Sequence, residues 1–252
     1  MRNLLFTATL LTSLFLASCS HKIDNARLLC YNVHNCVGLD KEFSCKRIAN
    51  IINSAKVEAV ALQELDSMTK RYPVDMLNEL AEQTNMHATY GASIDFQGGK
   101  YGIGILTKER PISHRRVALP CRSEPRSLLI VELKDYYFCS THLSLHEEDR
   151  NASVDIITAE LAKLDKPAII AGDFNAEPDS EPMQKMAKQF QVLHKTDGNG
   201  YTFPADKPST EIDYFCIYSG GGASAEVTSH TVVNAPVESD HRPIFAEVTI
   251  TW

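Results

Sequence analysis

The sequence predicts a single domain of mixed α/β class, in which strands and helices alternate and some neighbouring strands run antiparallel. Short apolar runs that end in polar residues recur along the chain, a pattern typical of buried strands. Between several of these runs, apolar residues recur at helical spacing, as at Ile48, Ile51 and Ile52. No low-complexity linker or internal repeat divides the 252 residues, so one core of substantial size is expected.

The N-terminal segment has the pattern of an export signal. Its apolar run from Leu4 to Ala17 is too short to cross a membrane, since a spanning helix needs about 20 residues. The residues Leu16-Ala-Ser-Cys19 resemble a bacterial lipobox, which implies cleavage and lipidation of Cys19. The alternative is a plain secretory signal in which Cys19 is incidental. We therefore expect an exported, membrane-anchored lipoprotein in the periplasm, at the outer membrane or on the cell surface.

The domain boundaries follow from this leader. Residues 1–18 form the signal peptide, residues 19–25 a polar tether, and residues 26–252 a single domain that we expect to be monomeric. Loss of the leader takes Lys+Arg from 25 to 24 against 32 Asp+Glu, so the formal net charge changes from −7 to about −8. Without a run of basic residues, non-specific electrostatic binding of nucleic acid is not favoured, although a local groove could still be basic.

Six cysteines remain after Cys19, and an exported location would permit disulfides among them. Six cysteines allow 15 pairings; if one disulfide forms, we expect it to join Cys36 to Cys45. No two cysteines are spaced as Cys-x-x-Cys, so a structural zinc site is not indicated. Three of them lie in apolar, strand-like runs and are expected in the core: Cys30, Cys139 and Cys216.

The N-terminal half of the domain has two candidate site residues at strand ends. Asn32 ends the first predicted strand, and Glu64 follows the apolar run of the second. Solvent exposure would explain Glu64, but a carboxylate after so apolar a run better suits a hard-cation ligand, since Mg²⁺ takes one or two carboxylates. The elements predicted here are strands over 26–33, 59–64 and 101–106 and helices over 45–55 and 74–84.

The C-terminal half has further polar residues beside predicted strands. His142 ends one strand, Asp213 lies near the start of another, and Asp240-His241 precede the last, where both groups would be costly to bury without partners. The alternatives are a structural role for His142 and a solvent-exposed turn at 240–241. The predicted elements are an antiparallel hairpin of 127–133 and 136–142, helices over 147–164 and 183–190, and strands over 168–171, 211–217, 226–233 and 244–250.

The predicted strand over 168–171 is expected to be buried, and it ends at Gly172-Asp-Phe-Asn175. Side chains two residues apart point the same way on extended backbone. Asp173 and Asn175 could therefore face one cleft and hold a water and an anionic oxygen. The alternative is an Asx turn, because Gly-Asp and Asn favour turns.

Seven short motifs lie in order along the chain. They are Tyr31-Asn-Val-His-Asn35, Gln63-Glu64, Gly102-Ile-Gly-Ile-Leu106, Ser140-Thr-His142, Gly172-Asp-Phe-Asn175, Ile212-Asp-Tyr214 and Ser239-Asp-His241. Together they resemble the endonuclease/exonuclease/phosphatase superfamily from residue 26 to the C-terminus. The resemblance implies a four-layer α/β sandwich of the DNase I-like kind. In that fold two mixed β-sheets pack face to face, helices lie outside, and the active site lies at one rim.

The resemblance also implies which residues bind metal and activate water. Glu64, helped by Asn32 and Asp240, would hold a divalent cation, Mg²⁺ or Mn²⁺. Asp173 and Asn175 would orient and activate the attacking water. The implied reaction is in-line hydrolysis of a phosphate ester.

The remaining matched residues would contact the phosphate. His241, held in tautomer and charge by Asp213, would bind a phosphoryl oxygen or stabilise its developing charge. His142 and Arg126 match phosphate-facing positions of the family, and Asn175 would contribute to the same site. The physical logic agrees, since a metal and an imidazolium neutralise the phosphoryl oxygens while a carboxylate handles the proton.

Two departures from the family pattern narrow the substrate. His142 stands where abasic-site endonucleases have a tyrosine, and the asparagine that follows it there has no counterpart here. Lys100 stands where secreted DNase-like members have an acidic partner for the histidine, although Glu124 or Glu147 could substitute. The first departure disfavours the DNA-repair role, and the second puts a DNase I-type histidine–acid pair in doubt.

We therefore expect a divalent-metal-dependent phosphodiesterase or phosphatase that acts outside the cytoplasm on a small or lipid-linked ester. One alternative is an exported nuclease acting on DNA or RNA, which a basic groove with aromatic residues would favour. The other is a non-catalytic binding lipoprotein, which the complete polar set argues against. All three share the fold, so the fold alone does not decide among them.

Overall fold

The computed structural model describes residues 21–252. The predicted signal peptide and the predicted lipidation site at Cys19 lie outside the described residues. The described part of the chain forms two six-stranded β-sheets and four α-helices. The predicted four-layer α/β sandwich with two mixed sheets is confirmed.

The elements follow one another in this order. The strands are β1 (Lys22–Asn32), β2 (Ala59–Ser67), β3 (His87–Phe96), β4 (Gly99–Thr107), β5 (Ser113–Leu119), β6 (Arg126–Glu132), β7 (Tyr137–His142), β8 (Ala168–Asp173), β9 (Phe190–Val192), β10 (Asp213–Tyr218), β11 (Ser224–Val232) and β12 (Ile244–Thr251). The helices are α1 (Cys45–Ala55), α2 (Met76–Thr84), α3 (Glu147–Leu161) and α4 (Glu181–Met186), and a short 3₁₀ turn spans His34–Cys36.

Each sheet has one parallel pair of strands at its centre. The first sheet has the order β11-β12-β1-β2-β4-β3, and the second has the order β5-β6-β7-β8-β10-β9. The pairs β1/β2 and β7/β8 are parallel, and the other neighbours are antiparallel. Because parallel strands end at the same edge of a sheet, each sheet brings the ends of two buried strands together.

Three apolar clusters fill the spaces between the four layers. The central one lies between the sheets, where Ile103 and Ile105 of β4 meet Leu129 and Val131 of β6. A second cluster joins α1 and α2 to the first sheet, and a third joins α3 and α4 to the second. The buried strands have apolar side chains on both faces, which is why they read as continuous apolar runs in the sequence.

Most predicted elements are present with small changes at their ends. Helix α1 is found as predicted, with the Ser44 hydroxyl accepting a hydrogen bond from the Arg47 N–H at its start. Helix α2 begins at Met76, two residues later than predicted, because the Asp75 carboxylate caps it through the Asn78 N–H. The predicted helix over 183–190 is wrong at its end, since α4 stops at Met186 and Phe190 opens β9.

Residues 22–25, which were predicted to be part of a tether over 19–25, lie in strand β1. Strand β1 begins at Lys22, because Lys22 pairs with Thr251 and Ile23 with Ile250 of β12. The main chain of His21 also exchanges two hydrogen bonds with Trp252. Residues 22–25 therefore belong to the sheet.

The disulfide expected between Cys36 and Cys45 is not formed. Both residues are buried free thiols. The Cys45 side chain hydrogen-bonds the Cys36 thiol and, together with burial, raises its pKa. Cys30, Cys139 and Cys216 are also free and buried, as expected of core residues.

Among residues 21–252, no helix combines the length and the apolar character needed to cross a membrane.

Candidate active site

The ends of four strands from both sheets meet at one rim of the sandwich. Asn32 ends β1, His142 ends β7, and Asp173 ends β8. His142 pairs in register with Asp173, and Asp213 at the start of the antiparallel β10 pairs with Asp173 from the other side. Three of the predicted site residues therefore lie side by side because of the strand order of the second sheet.

Asn32 links this row to the first sheet. Its Nδ2 donates to Glu64 Oε1 and to Asp173 Oδ2, both at 3.1 Å. Its Oδ1 accepts from the His34 N–H at 3.1 Å, which leaves the amide a single orientation. The Ser239 hydroxyl donates to the Asn32 carbonyl at 2.7 Å and so ties the loop before β12 to the end of β1. A buried asparagine with all these partners holds the two sheets in fixed relation at the site.

Glu64 is turned out of the sheet by a bulge in β2. The pairing of β2 with β4 shifts between Leu62 and Leu65, and Glu64 adopts a left-handed φ of 60°. Such a conformation costs a non-glycine residue about 1–2 kcal/mol and concentrates at functional sites. Burial raises the pKa of Glu64; the Asn32 hydrogen bond opposes this, and the charge of Asp240 adds to it.

His241 lies between two buried carboxylates. Its Nδ1 is 2.9 Å from Asp213 Oδ2, and its Nε2 is 3.6 Å from Asp173 Oδ2. The Thr202 hydroxyl also donates to Asp213 Oδ2, at 2.5 Å, and the Phe203 ring lies 4.9 Å from the imidazole. Burial opposes the imidazolium, but the charges of Asp213 and Asp173 outweigh it and raise the pKa of His241 to about 10. The ring is therefore charged at neutral pH.

Asp173 is almost fully enclosed, with 1% of its surface exposed, as is Asp213. Burial raises its pKa to about 7, with Asp213 adding to the effect and His241 opposing it. Such a carboxyl group exchanges a proton near neutral pH.

His142 and Arg126 form a neighbouring pair. The Nε2 atom of His142 is 3.4 Å from Asp173 Oδ2, and its Nδ1 is 3.5 Å from Arg126 Nη1. Burial, the Arg126 guanidinium and His241 lower the pKa of His142 well below its usual value, so the ring is neutral. Arg126 is also paired with Glu124, while its buried Nε has no partner among the described residues.

Asn175 reaches the site through a turn and not through the extended backbone that was predicted. Strand β8 ends at Asp173, and Asn175 has a φ of 48°. Its N–H donates to Asp173 Oδ1 at 2.9 Å, which is an Asx turn, and its Nδ2 donates to the Leu143 carbonyl at 3.0 Å. The expectation of extended backbone through Asn175 is therefore wrong, and the turn that was its alternative is present. This turn orients the Asp173 carboxylate.

A sequence model of the family described as Endonuclease/Exonuclease/phosphatase matches residues 29–241, which is most of the chain and includes every residue of this site. The chain belongs to the Endonuclease/Exonuclease/phosphatase family. Its members are phosphoester hydrolases and are typically dependent on a divalent metal. A comparison with curated proteins finds no match.

Solved structures share the fold at low sequence identity. An endonuclease/exonuclease/phosphatase from Bacteroides vulgatus is 18% identical with a TM-score of 0.72, covering 90% of this chain and 99% of its own. A Bacteroides thetaiotaomicron mannosyl-6-phosphatase is 15% identical with a TM-score of 0.71, covering 88% and 98%. The human Nocturnin catalytic domain is 15% identical with a TM-score of 0.67, covering 91% and 97%.

Two sets of residues at this rim of the sandwich could hold a cation. Asp173, Asp213 and His241 each offer a ligand atom within 4.8 Å of the others. However, His241 already bridges these two carboxylates as an imidazolium, so their charge is compensated. The predicted set around Glu64 fits better, because Asn32 is the only hydrogen-bond partner of the Glu64 carboxylate among the described residues. Its free oxygen and the nearby Asp240 are hard ligands of the kind that Mg²⁺ prefers.

The sequence analysis did not identify the residues that support His241 and its partner Asp213. Thr202 and Phe203 contact Asp213 and His241 from the loop before β10, and Lys195 Nζ donates to the Asp213 carbonyl at 2.9 Å. This loop has no periodic pattern, and its contacts depend on the tertiary fold. No local signal in the sequence indicated their roles.

Proposed function

We propose that this protein is a divalent-metal-dependent phosphoester hydrolase that acts by in-line attack of water. The observation that supports this most is the hydrogen-bonded set at the rim, in which Asn32 joins Glu64 to Asp173 and Asp173 adjoins the His241–Asp213 pair. The set combines a proton acceptor, a fixed positive charge and an oxygen-rich cation site. These are the parts that phosphoryl transfer to water requires.

Asp173 would accept the proton of the attacking water. A pKa of about 7 keeps the carboxylate available at neutral pH and basic enough to take the proton. The Asn175 N–H, held on Asp173 Oδ1, leaves Oδ2 as the oxygen directed toward the two histidines and Asn32.

His241 would stabilise the charge that develops on the phosphoryl oxygens. Its Nδ1 proton is committed to Asp213, so Nε2–H, which lies 3.6 Å from Asp173 Oδ2, would be the donor to the substrate. Neutral His142 and the charged Arg126 beside it would bind the other oxygens, and the buried Nε of Arg126 is an available donor.

The cation would be held by Glu64, with Asn32 and Asp240 in support, and Mg²⁺ is the ion we favour, with Mn²⁺ as the substitute. When bound, the ion would neutralise charge on the phosphoryl group as a Lewis acid. Burial and the charge of Asp240 raise the pKa of Glu64. This supports a cation site, because a bound cation would compensate the negative charge that is costly there.

A small or lipid-linked phosphoester is the substrate class that the site favours over a nucleic acid polymer. Arg126, which lies beside His142, and Arg71, which lines the cavity beside Glu64, are both neutralised by carboxylates, namely Glu124 and Asp66. A polymer binder would present unpaired basic residues along a groove. One of the solved structures with this fold is a mannosyl-6-phosphatase, which supports the phosphatase hypothesis by analogy of fold. Export and anchoring through Cys19 are part of the proposal and rest on the N-terminal sequence.

The experiment compares the wild-type protein with Asp173→Asn on p-nitrophenyl phosphate, bis-p-nitrophenyl phosphate and supercoiled plasmid, with Mg²⁺, Mn²⁺ or EDTA. Asp179→Asn is the matched control, because Asp179 is exposed and follows the same strand six residues later. We expect metal-dependent hydrolysis of a p-nitrophenyl ester, a loss of 10² or more in kcat for Asp173→Asn, and little change for Asp179→Asn. Metal-dependent nicking of plasmid without ester hydrolysis would favour the nuclease instead. Inactivity on all three would contradict the proposal.

A further inference from the structure

A cavity of about 220 Å³ opens beside Glu64, and neither His241 nor Asp213 lines it. Neither Asp173 nor His241 lines it, whereas Glu64 does, so it adjoins the proposed cation site rather than the proton acceptor. Sites for drug-sized ligands have about 300–1,000 Å³, so this cavity suits a smaller group. The residues that line it include Asn35, Glu64, Arg71, Phe96, Tyr101 and Glu124.

Arg71 presents a fixed donor to this cavity. Its Nε and Nη2 donate to the two carboxylate oxygens of Asp66 at 2.6 and 2.9 Å, and Nη2 also donates to Asn35 Oδ1 at 2.6 Å. The Asp66 side chain is fully buried, so the guanidinium is anchored. Within the described residues, Nη1 has no partner. Because arginine offers planar donors in a rigid arrangement, this nitrogen is placed to bind a ligand oxygen.

Tyr101 supplies a second free polar atom. Its hydroxyl has no hydrogen-bond partner in the described part of the chain, although only 9% of the residue is exposed. The Arg71 guanidinium lies 5.6 Å from the Tyr101 ring and 4.7 Å from the Phe96 ring. Arg71 thus already occupies the aromatic faces on which a quaternary ammonium or a base would stack.

The charged groups around the cavity already have partners. Arg71 pairs with Asp66 and Glu124 with Arg126, and Glu64 would hold the cation, so a second phosphate or a continuing nucleic acid strand would meet no uncompensated positive charge there. Hydroxyl groups, by contrast, can donate to carboxylates and accept from Arg71 and Tyr101. The cavity therefore matches a compact, uncharged group with several hydroxyls.

We propose that this cavity binds the sugar of a sugar monophosphate, with the phosphate at the cluster around Asp173. This inference rests on the proposed function and names its substrate class. In an in-line reaction the leaving group departs opposite the attacking water, and the cavity lies across Asn32 from Asp173. Water forms the new P–O bond and gives a proton to Asp173, the bond from phosphorus to the sugar oxygen breaks with its electron pair going to that oxygen, and the oxygen takes up a proton from solvent water. The products are inorganic phosphate and the free sugar.

The test separates recognition of the sugar from hydrolysis. Values of kcat/KM are measured for glucose 6-phosphate, mannose 6-phosphate, AMP, phosphocholine and p-nitrophenyl phosphate with the wild-type protein, Tyr101→Phe and Tyr72→Phe. Tyr72→Phe is the matched control, because Tyr72 lies next to Arg71 along the chain but does not line the cavity. One neutral hydrogen bond is worth about 0.5–1.5 kcal/mol, so Tyr101→Phe should lower kcat/KM for the preferred hexose phosphate by about 2- to 10-fold. It should leave p-nitrophenyl phosphate within about twofold.

A binding measurement adds a readout that does not depend on turnover. Calorimetric titration of the hexose phosphate into Asp173→Asn and into Asp173→Asn combined with Tyr101→Phe should show weaker binding in the second protein. If p-nitrophenyl phosphate is hydrolysed and the kcat/KM for AMP or phosphocholine exceeds that for both hexose phosphates, the inference is overturned and the proposed function is left intact. Equal loss on every substrate in Tyr101→Phe would also overturn it. Absence of hydrolysis with all five monoesters, with bis-p-nitrophenyl phosphate still hydrolysed, would overturn this inference and leave the proposed function intact. Inactivity on the diester as well would overturn both.

Discussion

At the scale of single residues, the site depends on side chains that are fixed before any ligand arrives. Asn32 contributes most to this order, because one amide group hydrogen-bonds carboxylates from both sheets. Glu64 and Asn175 both have left-handed backbone, with φ of 60° and 48°. Residues in strained conformations persist where the surrounding structure holds them, and here they hold the carboxylates in position.

Glu64→Gln should raise the metal concentration needed for half-maximal activity by tenfold or more, because the neutral amide loses the charge that attracts the cation. The Asn32 hydrogen bond to Oε1 survives the change, so the fold should be retained. Activity is titrated against Mg²⁺ for the variant, the wild-type protein and Glu58→Gln. Glu58 is an exposed residue just before β2 and is the control. An unchanged metal titration in Glu64→Gln would exclude Glu64 as the ligand.

At the scale of elements, the site follows from strand order. Asp173 lies between His142 of the parallel neighbour and Asp213 of the antiparallel neighbour, in the same register row. Close packing of β7 against β8 keeps this row together. Gly172 permits the close approach, since a Cβ there would lie 2.1 Å from the Thr141 carbonyl oxygen.

Gly172→Ala should therefore push β8 away from β7 and displace Asp173. We expect a destabilisation of about 1–3 kcal/mol and a loss of at least about tenfold in kcat, since small misplacements at a reacting centre are costly. Gly221→Ala is the control, because a Cβ at Gly221 would meet nothing within 4 Å. Denaturant unfolding and activity are measured on both variants. Equal stability and activity for the two would show that the β7–β8 spacing does not position Asp173.

The elements also show where sequence reasoning succeeds and fails. The buried strands β1, β2, β7, β8 and β10 were predicted because their apolar runs are continuous. By contrast, β3 and β5 were missed. β3 is mostly half-buried and contains Gly91, and β5 is the largely exposed edge strand Ser113-His-Arg-Arg-Val-Ala-Leu119. The short motifs identify the site residues that lie at strand ends. Arg71, Thr202 and Tyr101 contribute through tertiary contacts, which no local sequence pattern encodes.

At the scale of the whole molecule, two sheets with equivalent parallel pairs share one apolar core. The interior of the sandwich also contains a group that the site does not use. His230 of β11 is fully buried, its two ring nitrogens have no partner among the described residues, and it packs against the edge of Phe215. Burial, with Lys195 adding to it, lowers the pKa of His230 to about 3.

His230 should make the fold sensitive to acid. Between pH 6.5 and about 3 the unfolded chain binds a proton at this histidine and the folded chain does not. The free energy of unfolding therefore falls as the pH is lowered through this window, by about 2 kcal/mol from pH 7 to pH 4.5.

In His230→Leu this part of the loss should disappear, while carboxylates elsewhere continue to titrate as in the wild type. Urea unfolding at both pH values measures the difference, and His114→Leu, at an exposed histidine of β5, controls for the change of residue type. If the wild-type protein and His230→Leu lose the same free energy on acidification, the buried imidazole does not govern acid stability.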